Sequence, residues 1–231
     1  MKDLKKLTVV EKTLKWDGND PDLSLTLPSR YFFDKEIFDR EIDTIIYPSW
    51  HFVCHKSEIP NIGDFVKFDI VKESVLVIRA EDNTVNAMHN VCKHRGTQLI
   101  QDRRGNIKNM ITCPYHAWSY HLNGNLRHAP RCENMKEFSK DDWGLSKVQI
   151  EEFAGFYFIN FDPNASSLAD DIPGAYEAMS PYFPDLDEII FIEEVDMMVD
   201  ANWKVIVDLS LIHISEPTRP RLISYAVFCL K

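Results

Sequence analysis

The stretch Cys92-Lys93-His94-Arg95-Gly96, answered by Cys113-Pro114-Tyr115-His116-Ala117-Trp118, decides how this chain is read. Each half offers one thiol and one imidazole, first as Cys-x-His and then as Cys-x2-His. Eighteen residues lie between His94 and Cys113. Four such donors in two short loops form a metal-ligand set. Gly96 permits a tight turn behind the first pair, and Pro114 restricts the second.

Structural zinc also uses two cysteines and two histidines, but it ordinarily pairs cysteine with cysteine and histidine with histidine at short spacing. Here each half mixes the two. That is the donor set of a Rieske-type [2Fe–2S] cluster, with two thiolates on one iron and two neutral imidazoles on the other. Cys92, His94, Cys113 and His116 are the expected ligands. Imidazole ligation raises the potential above that of an all-cysteine cluster, so the expected work is single-electron transfer. No catalytic residue is assigned in the chain itself. Cys54, in the run Trp50-His51-Phe52-Val53-Cys54-His55, reads as a buried thiol and Cys132 as incidental. His89, His121 and His128 lack the spacing of a second ligand set and read as core or surface histidines. Arg95, Arg103 and Arg104 read as solvated charge, with the rim of a donor-docking surface as the alternative.

Outward from the motif, the chain is ordinary globular material. Of 231 residues, 45% are hydrophobic, enough to fill one large domain or two small ones. The formal net charge of -10 argues against a nucleic-acid partner, which needs a basic face. An odd count of five cysteines without a signal segment disfavours a disulfide framework. No apolar run reaches the roughly 18 residues needed to span a bilayer. The expected location is cytoplasmic, with no membrane partner.

Short apolar and β-branched runs predict strands over Trp50–Cys54, Phe65–Ile70, Val75–Arg79, Val85–His89, Ile107–Thr112 and Phe156–Asn160. Turn signals fall at 60–64, 81–83, Arg104-Gly105-Asn106 and 123–125. Both donor pairs then lie on loops at strand ends. Before this β region, Asp34 is a plausible cap for a helix with Phe38, Ile42, Ile45 and Ile46 on one stripe, ended by Pro48. A turn is expected at Asp17–Pro21. After Asp162-Pro163, a loop and short helix lead to a strand from Ile189 towards Val199, and to a helix opening near Asn202. The flanks before 48 and after 163 are expected to belong together.

The motifs His89-Asn90-Val91-Cys92-Lys93-His94-Arg95-Gly96 and Cys113-Pro114-Tyr115-His116-Ala117-Trp118-Ser119-Tyr120 resemble those of Rieske non-heme iron oxygenase alpha subunits, the ring-hydroxylating dioxygenase type. Leu27–Tyr31, Trp143-Gly144-Leu145, Gly155–Asn160 and Asn202-Trp203-Lys204 extend the resemblance over roughly residues 25 to 208. It implies an α+β fold: an antiparallel Rieske β domain over 49–162 and an incomplete, helix-grip-like catalytic domain. The 1–48 segment is expected to pack with that catalytic domain, which begins at 163–208. The resemblance also implies a reductase or ferredoxin donor drawing on NAD(P)H, and a mononuclear Fe(II) that activates O2 against a small organic substrate. A homotrimer is implied as well. The family's carboxylate and histidine positions after Asn-Trp-Lys fall here on Asp208, His213, Glu216 and Arg221, so the mononuclear iron is expected only in a full-length parent. The stretch Leu211–Pro220 resembles translated sequencing-adapter read-through, and 209–231 is expected to be non-native. A non-enzymatic Rieske ferredoxin-like carrier is the alternative, and the flanks argue against it.

Overall fold

A strand whose every side chain is apolar needs cover on both faces, and Val75-Leu76-Val77-Ile78 is such a run. The structure is a computed structural model describing residues 27–132, 135–183, 185–186 and 188–214, with the backbone alone over 209–214. The run lies in β3 (Glu73–Arg79), inside a seven-stranded antiparallel sheet. Its other members are β1 (His51–His55), β2 (Asp64–Ile70), β4 (Val85–His89), β5 (Arg104–Asn106), β9 (Lys147–Phe153) and β10 (Phe156–Asn160). Their order is β1-β10-β9-β4-β3-β2-β5. A smaller sheet holds β6 (Ile111–Thr112), β7 (Ser119–Tyr120) and β8 (Leu126–His128) in sequence order.

Alternation along the strands divides the core in two. Phe65, Leu76, Ile78 and Met88 pack with Ile111, Trp118 and Tyr120 from the small-sheet side. Val66, Phe68, Val75, Val77 and Val148 pack with Val53, Tyr157 and Ile159 on the opposite face. The small sheet is thereby fixed against one face of the large one, and the two donor loops project from this junction.

The two helix starts read from sequence, at Asp34 and near Asn202, are present, and two short helices stand where one was expected after Pro163. Following α1 (Arg30–Phe33), Asp34 Oδ1 accepts the Glu36 N–H at 2.9 Å and caps α2 (Lys35–Glu41). That helix continues as a π-helical turn over Ile42–Ile46. Ser167 caps α3 (Leu168–Asp171), and α4 (Ala175–Met179) follows. Asn202 Oδ1 accepts the Lys204 N–H at 3.1 Å at the start of α5 (Trp203–Ile214). The described residues fall into two units, 27–40 with 200–214 and 41–199. Within the first, the buried Lys204 ammonium lies 5.8 Å from the Phe32 ring centroid.

Several expectations need correction. Only Ile111–Thr112 of the predicted strand Ile107–Thr112 is a strand, and the predicted turn Arg104-Gly105-Asn106 is β5 itself. The Ile107 N–H still donates to Gly63 O at 2.8 Å, and the pairing stops there because Gly63, at φ +86°, turns out of the extended conformation just before β2 begins. A Cβ at Gly63, whose φ is +86°, would stand 2.2 Å from Ile107 O. β7, β8 and β9 were not predicted. Ile189–Val199 is not a strand, because no partner strand pairs with it among the described residues. The turn expected at Asp17–Pro21 and the tail from Ser215 lie outside the described residues, as do the side chains of 209–214. No helix among the described residues is long and apolar enough to cross a membrane.

Candidate metal centre

The two loops that carry the predicted donors are closed by the same backbone pattern. Cys92 N–H donates to Thr97 O at 2.8 Å and Gly96 N–H to Cys92 O at 3.0 Å. Cys113 N–H donates to Trp118 O at 2.8 Å and Ala117 N–H to Cys113 O at 3.1 Å. In each, the fourth residue after the cysteine is left-handed: Gly96 at φ +68° and Ala117 at φ +58°. The first loop leaves the end of β4, and the second links β6 to β7. Fully buried Asn90 ties the base of the first loop. Its Nδ2 donates to Ile100 O at 2.7 Å, and its Oδ1 accepts the Ile100 N–H at 2.9 Å.

This backbone buries both sulfurs, half-buries the His94 ring and leaves the His116 ring exposed. Cys92 and Cys113 are 2% and 3% exposed, and each thiol lies in the same buried cluster as Trp118 and Tyr120. Burial pushes the Cys92 thiol up, while the Tyr120 hydroxyl and the His94 backbone N–H act on its sulfur in the opposite sense. The Tyr120 oxygen sits 3.3 Å from Cys92 Sγ and also accepts the Lys93 N–H at 3.1 Å. His94 is half-buried and stacks on buried Trp118, with centroids 5.1 Å apart and planes 4° from parallel. His116 is exposed and meets the His94 ring edge-on at 4.7 Å. Local desolvation, then the neighbouring His94 and Arg95, hold the His116 imidazole below its ordinary value.

The donors fit a [2Fe–2S] cluster. Nδ1 of His94 is buried and has no hydrogen-bond partner, a costly state for a ring nitrogen unless something binds it. Among the described residues no three His, Cys, Asp or Glu side chains gather around a single metal position. Two thiols and two imidazoles are the ligands that a Rieske-type two-iron cluster takes from its protein.

The remaining candidates stand apart from this site. Cys54 is fully buried, and burial pushes its thiol far up, leaving it inert. Cys132 is half-buried at the edge of the core. His89 Nδ1 pairs with Glu73 at 3.0 Å. Arg103 and Arg104 are neither solvated charge nor a free docking rim. Arg104 Nε donates to Glu58 Oε2 at 2.9 Å and its Nη2 to Glu194 at 2.5 Å, while Arg103 pairs with Glu194 and Asp196. They clasp the 189–199 segment to β5. The supporting roles of Asn90, Trp118 and Tyr120 were not assigned from sequence, although all three lie inside the quoted motifs.

Residues 49–139 match the Rieske [2Fe–2S] domain family, so fold and donor set together define a Rieske-domain protein. The chain is 41% identical over 189 residues to the carnitine monooxygenase oxygenase subunit of Escherichia coli (strain K12), covering 82% of this chain and 50% of that one. It is 36% identical over 181 residues to the 2-aminobenzenesulfonate 2,3-dioxygenase subunit alpha of Alcaligenes sp, covering 77% and 45%. Among solved structures, the apo form of a quaternary ammonium Rieske monooxygenase matches with a TM-score of 0.76 at 36% identity, covering 79% of this chain and 53% of that one. The chain carries a Rieske [2Fe–2S] domain and is similar over about 80% of its length to oxygenase (alpha) subunits of Rieske oxygenases. It spans about half the length of the curated relatives it matches.

Proposed function

We propose that Cys92 and Cys113 ligate one iron of a [2Fe–2S] cluster, and that His94 and His116 ligate the other. When bound, such a cluster accepts and releases one electron at a time. The observation that carries this reading is the buried, unpartnered Nδ1 of His94, two residues from a buried thiol. The protein's own work is to hold both thiols out of water and to supply N–H and O–H donors to sulfur. It also leaves the His116 edge open to solvent, where a redox partner can approach.

In the longer protein, the domain over 49–162 would relay electrons from a reductase or ferredoxin, fed by NAD(P)H, to a mononuclear Fe(II) that activates O2. We assign 163–208 to the start of the catalytic domain, together with 1–48, and place the mononuclear iron ligands outside this chain. The substrate class we favour is a quaternary amine undergoing oxidative N-dealkylation, because the carnitine-type relative and the quaternary ammonium monooxygenase share this chain's Rieske half. An aromatic substrate is the competing outcome. A homotrimer is the expected assembly of the longer protein.

The test is iron loading of this chain, reduction, and electron paramagnetic resonance. A Rieske-type signal is expected, and full iron loading without it would overturn the ligand assignment. Supplied with NADH, a reductase and L-carnitine, this chain should form no product. Product formation would put the mononuclear site inside it.

A further inference from the structure

His55 ends β1 with its ring inside the protein, and the residue is only 3% exposed. Its Nδ1 faces the 3-10 turn over Lys56–Glu58 and accepts the Ser57 N–H at 3.2 Å. A ring nitrogen that accepts a backbone N–H carries no proton, so this imidazole is neutral, with its hydrogen on Nε2. Ser57 Oγ lies 2.8 Å from the same Nδ1, and the proton in that contact is therefore the hydroxyl's. The same Oγ accepts the Phe191 N–H at 2.8 Å, from the 189–199 segment. We infer that Phe191, Ser57 and His55 form a proton-sensitive latch: neutral His55 orients the Ser57 hydroxyl that holds the 189–199 segment at the end of β1, and protonation of His55 releases that segment.

The closed latch has no place for a charge. A proton on Nδ1 would point at the Ser57 N–H, donor against donor, and end the bond that closes the turn. Nε2 is buried with no hydrogen-bond partner among the described residues, so nothing at that end compensates an imidazolium. Gly155 backs onto Nε2, where a Cβ would stand 2.8 Å away, and the Phe156 ring meets the imidazole edge-on at 5.0 Å. A charged ring escapes only by swinging outward, which takes Nδ1 from Ser57. Of the charged groups around it, Lys56 repels a proton, while Glu58 and Glu152 attract one. Glu58 is already engaged: its Oε1 accepts the His55 N–H at 2.8 Å, and its Oε2 pairs with Arg104. Burial first, then Lys56, hold the imidazole below its ordinary value. A released His55 returns to that value, about 6.5, so the released form binds the proton more strongly. The latch is therefore closed above about pH 6.5 and opens as pH falls below it. Carboxylates ordinarily titrate nearer pH 4, in a lower window.

All three residues lie outside the proposed ligand set, so the latch stands or falls apart from the cluster. The test is amide exchange at Phe191 in the full chain, kept dilute, from about pH 8 to about pH 5.5, with each rate divided by its intrinsic rate. Protection should be level above about pH 7 and fall by up to about tenfold by pH 5.5. Two variants, S57A and H55N, are read beside the parent. S57A loses the hydroxyl; its Phe191 amide should exchange faster than the parent's at pH 8 and show no step. H55N keeps a side-chain oxygen that can accept the Ser57 N–H but does not titrate, and its protection should stay level across the range. A level parent profile overturns the inference. So does a parent step that survives in S57A or H55N, which would assign it to the carboxylates. If near-ultraviolet circular dichroism shows that H55N has not folded, S57A alone decides.

Discussion

Ala117 sits at φ +58° in the position that Gly96 fills, at φ +68°, in the companion loop. A Cβ in the left-handed region costs about 1–2 kcal/mol, and glycine loses part of that advantage through the unfolded chain. Ala117→Gly should therefore stabilise the protein by up to about 1 kcal/mol. Thermal melts of the two iron-free chains check this, and a clearly lower melting temperature in the variant would refute it. At this scale the proposed donors can be named from sequence, because residue type and spacing carry ligand chemistry directly. Their supports cannot. Tyr120 reaches Cys92 across 28 positions and Asn90 binds Ile100 across 10, and no local pattern announces such pairings.

Among the elements, the least regular is the one held most by charge. The 189–199 segment has no sheet partner among the described residues. It is held by Arg103 and Arg104, by the Phe191 ring 5.1 Å from the Arg104 guanidinium, and by the Phe191 N–H donating to Ser57 Oγ at 2.8 Å. The two arginines are not equivalent. Arg104 also serves Glu58, whose side chain is 3% exposed. Removing it strands a buried carboxylate and should cost about 2–3 kcal/mol after discounting for the guanidinium's own exposure. Arg103→Ala breaks only partly exposed pairs and should cost under about 1 kcal/mol. Denaturant unfolding separates the two; equal losses would refute the ranking. Both changes should raise amide exchange over Phe191–Val199. The misreading of this segment as a strand has the same root. Ile189-Ile190-Phe191-Ile192 has strand composition, but composition does not say whether a neighbour exists. Val85–His89 and Phe156–Asn160 were read to the residue because both lie in the sheet between paired neighbours.

At the scale of the whole molecule, that same segment carries a row of uncovered apolar side chains. Ile192 is 86% exposed, Val195 79%, Met197 80% and Met198 99%. Monomeric proteins seldom leave such a row bare. This chain should self-associate as its concentration rises, and serine at these four positions should suppress that in sedimentation. A parent chain that stays monomeric across the range would refute the expectation. The chain enters the seven-stranded sheet on β1 and leaves it on β10, and these strands are hydrogen-bonded neighbours, with His51 opposite Ile159 and Phe52 opposite Phe158. The pairing continues past the strands, where Asn160 Nδ2 donates to Pro48 O at 2.9 Å and Phe161 N–H to Tyr47 O at 3.3 Å. The two ends therefore stand about 5 Å apart, one strand spacing. To whatever polypeptide flanks it, everything between is a loop whose ends already touch, so closing it asks little entropy of the host. Such a body is portable: it can be gained, lost or exchanged among hosts while the flanking chain keeps its course.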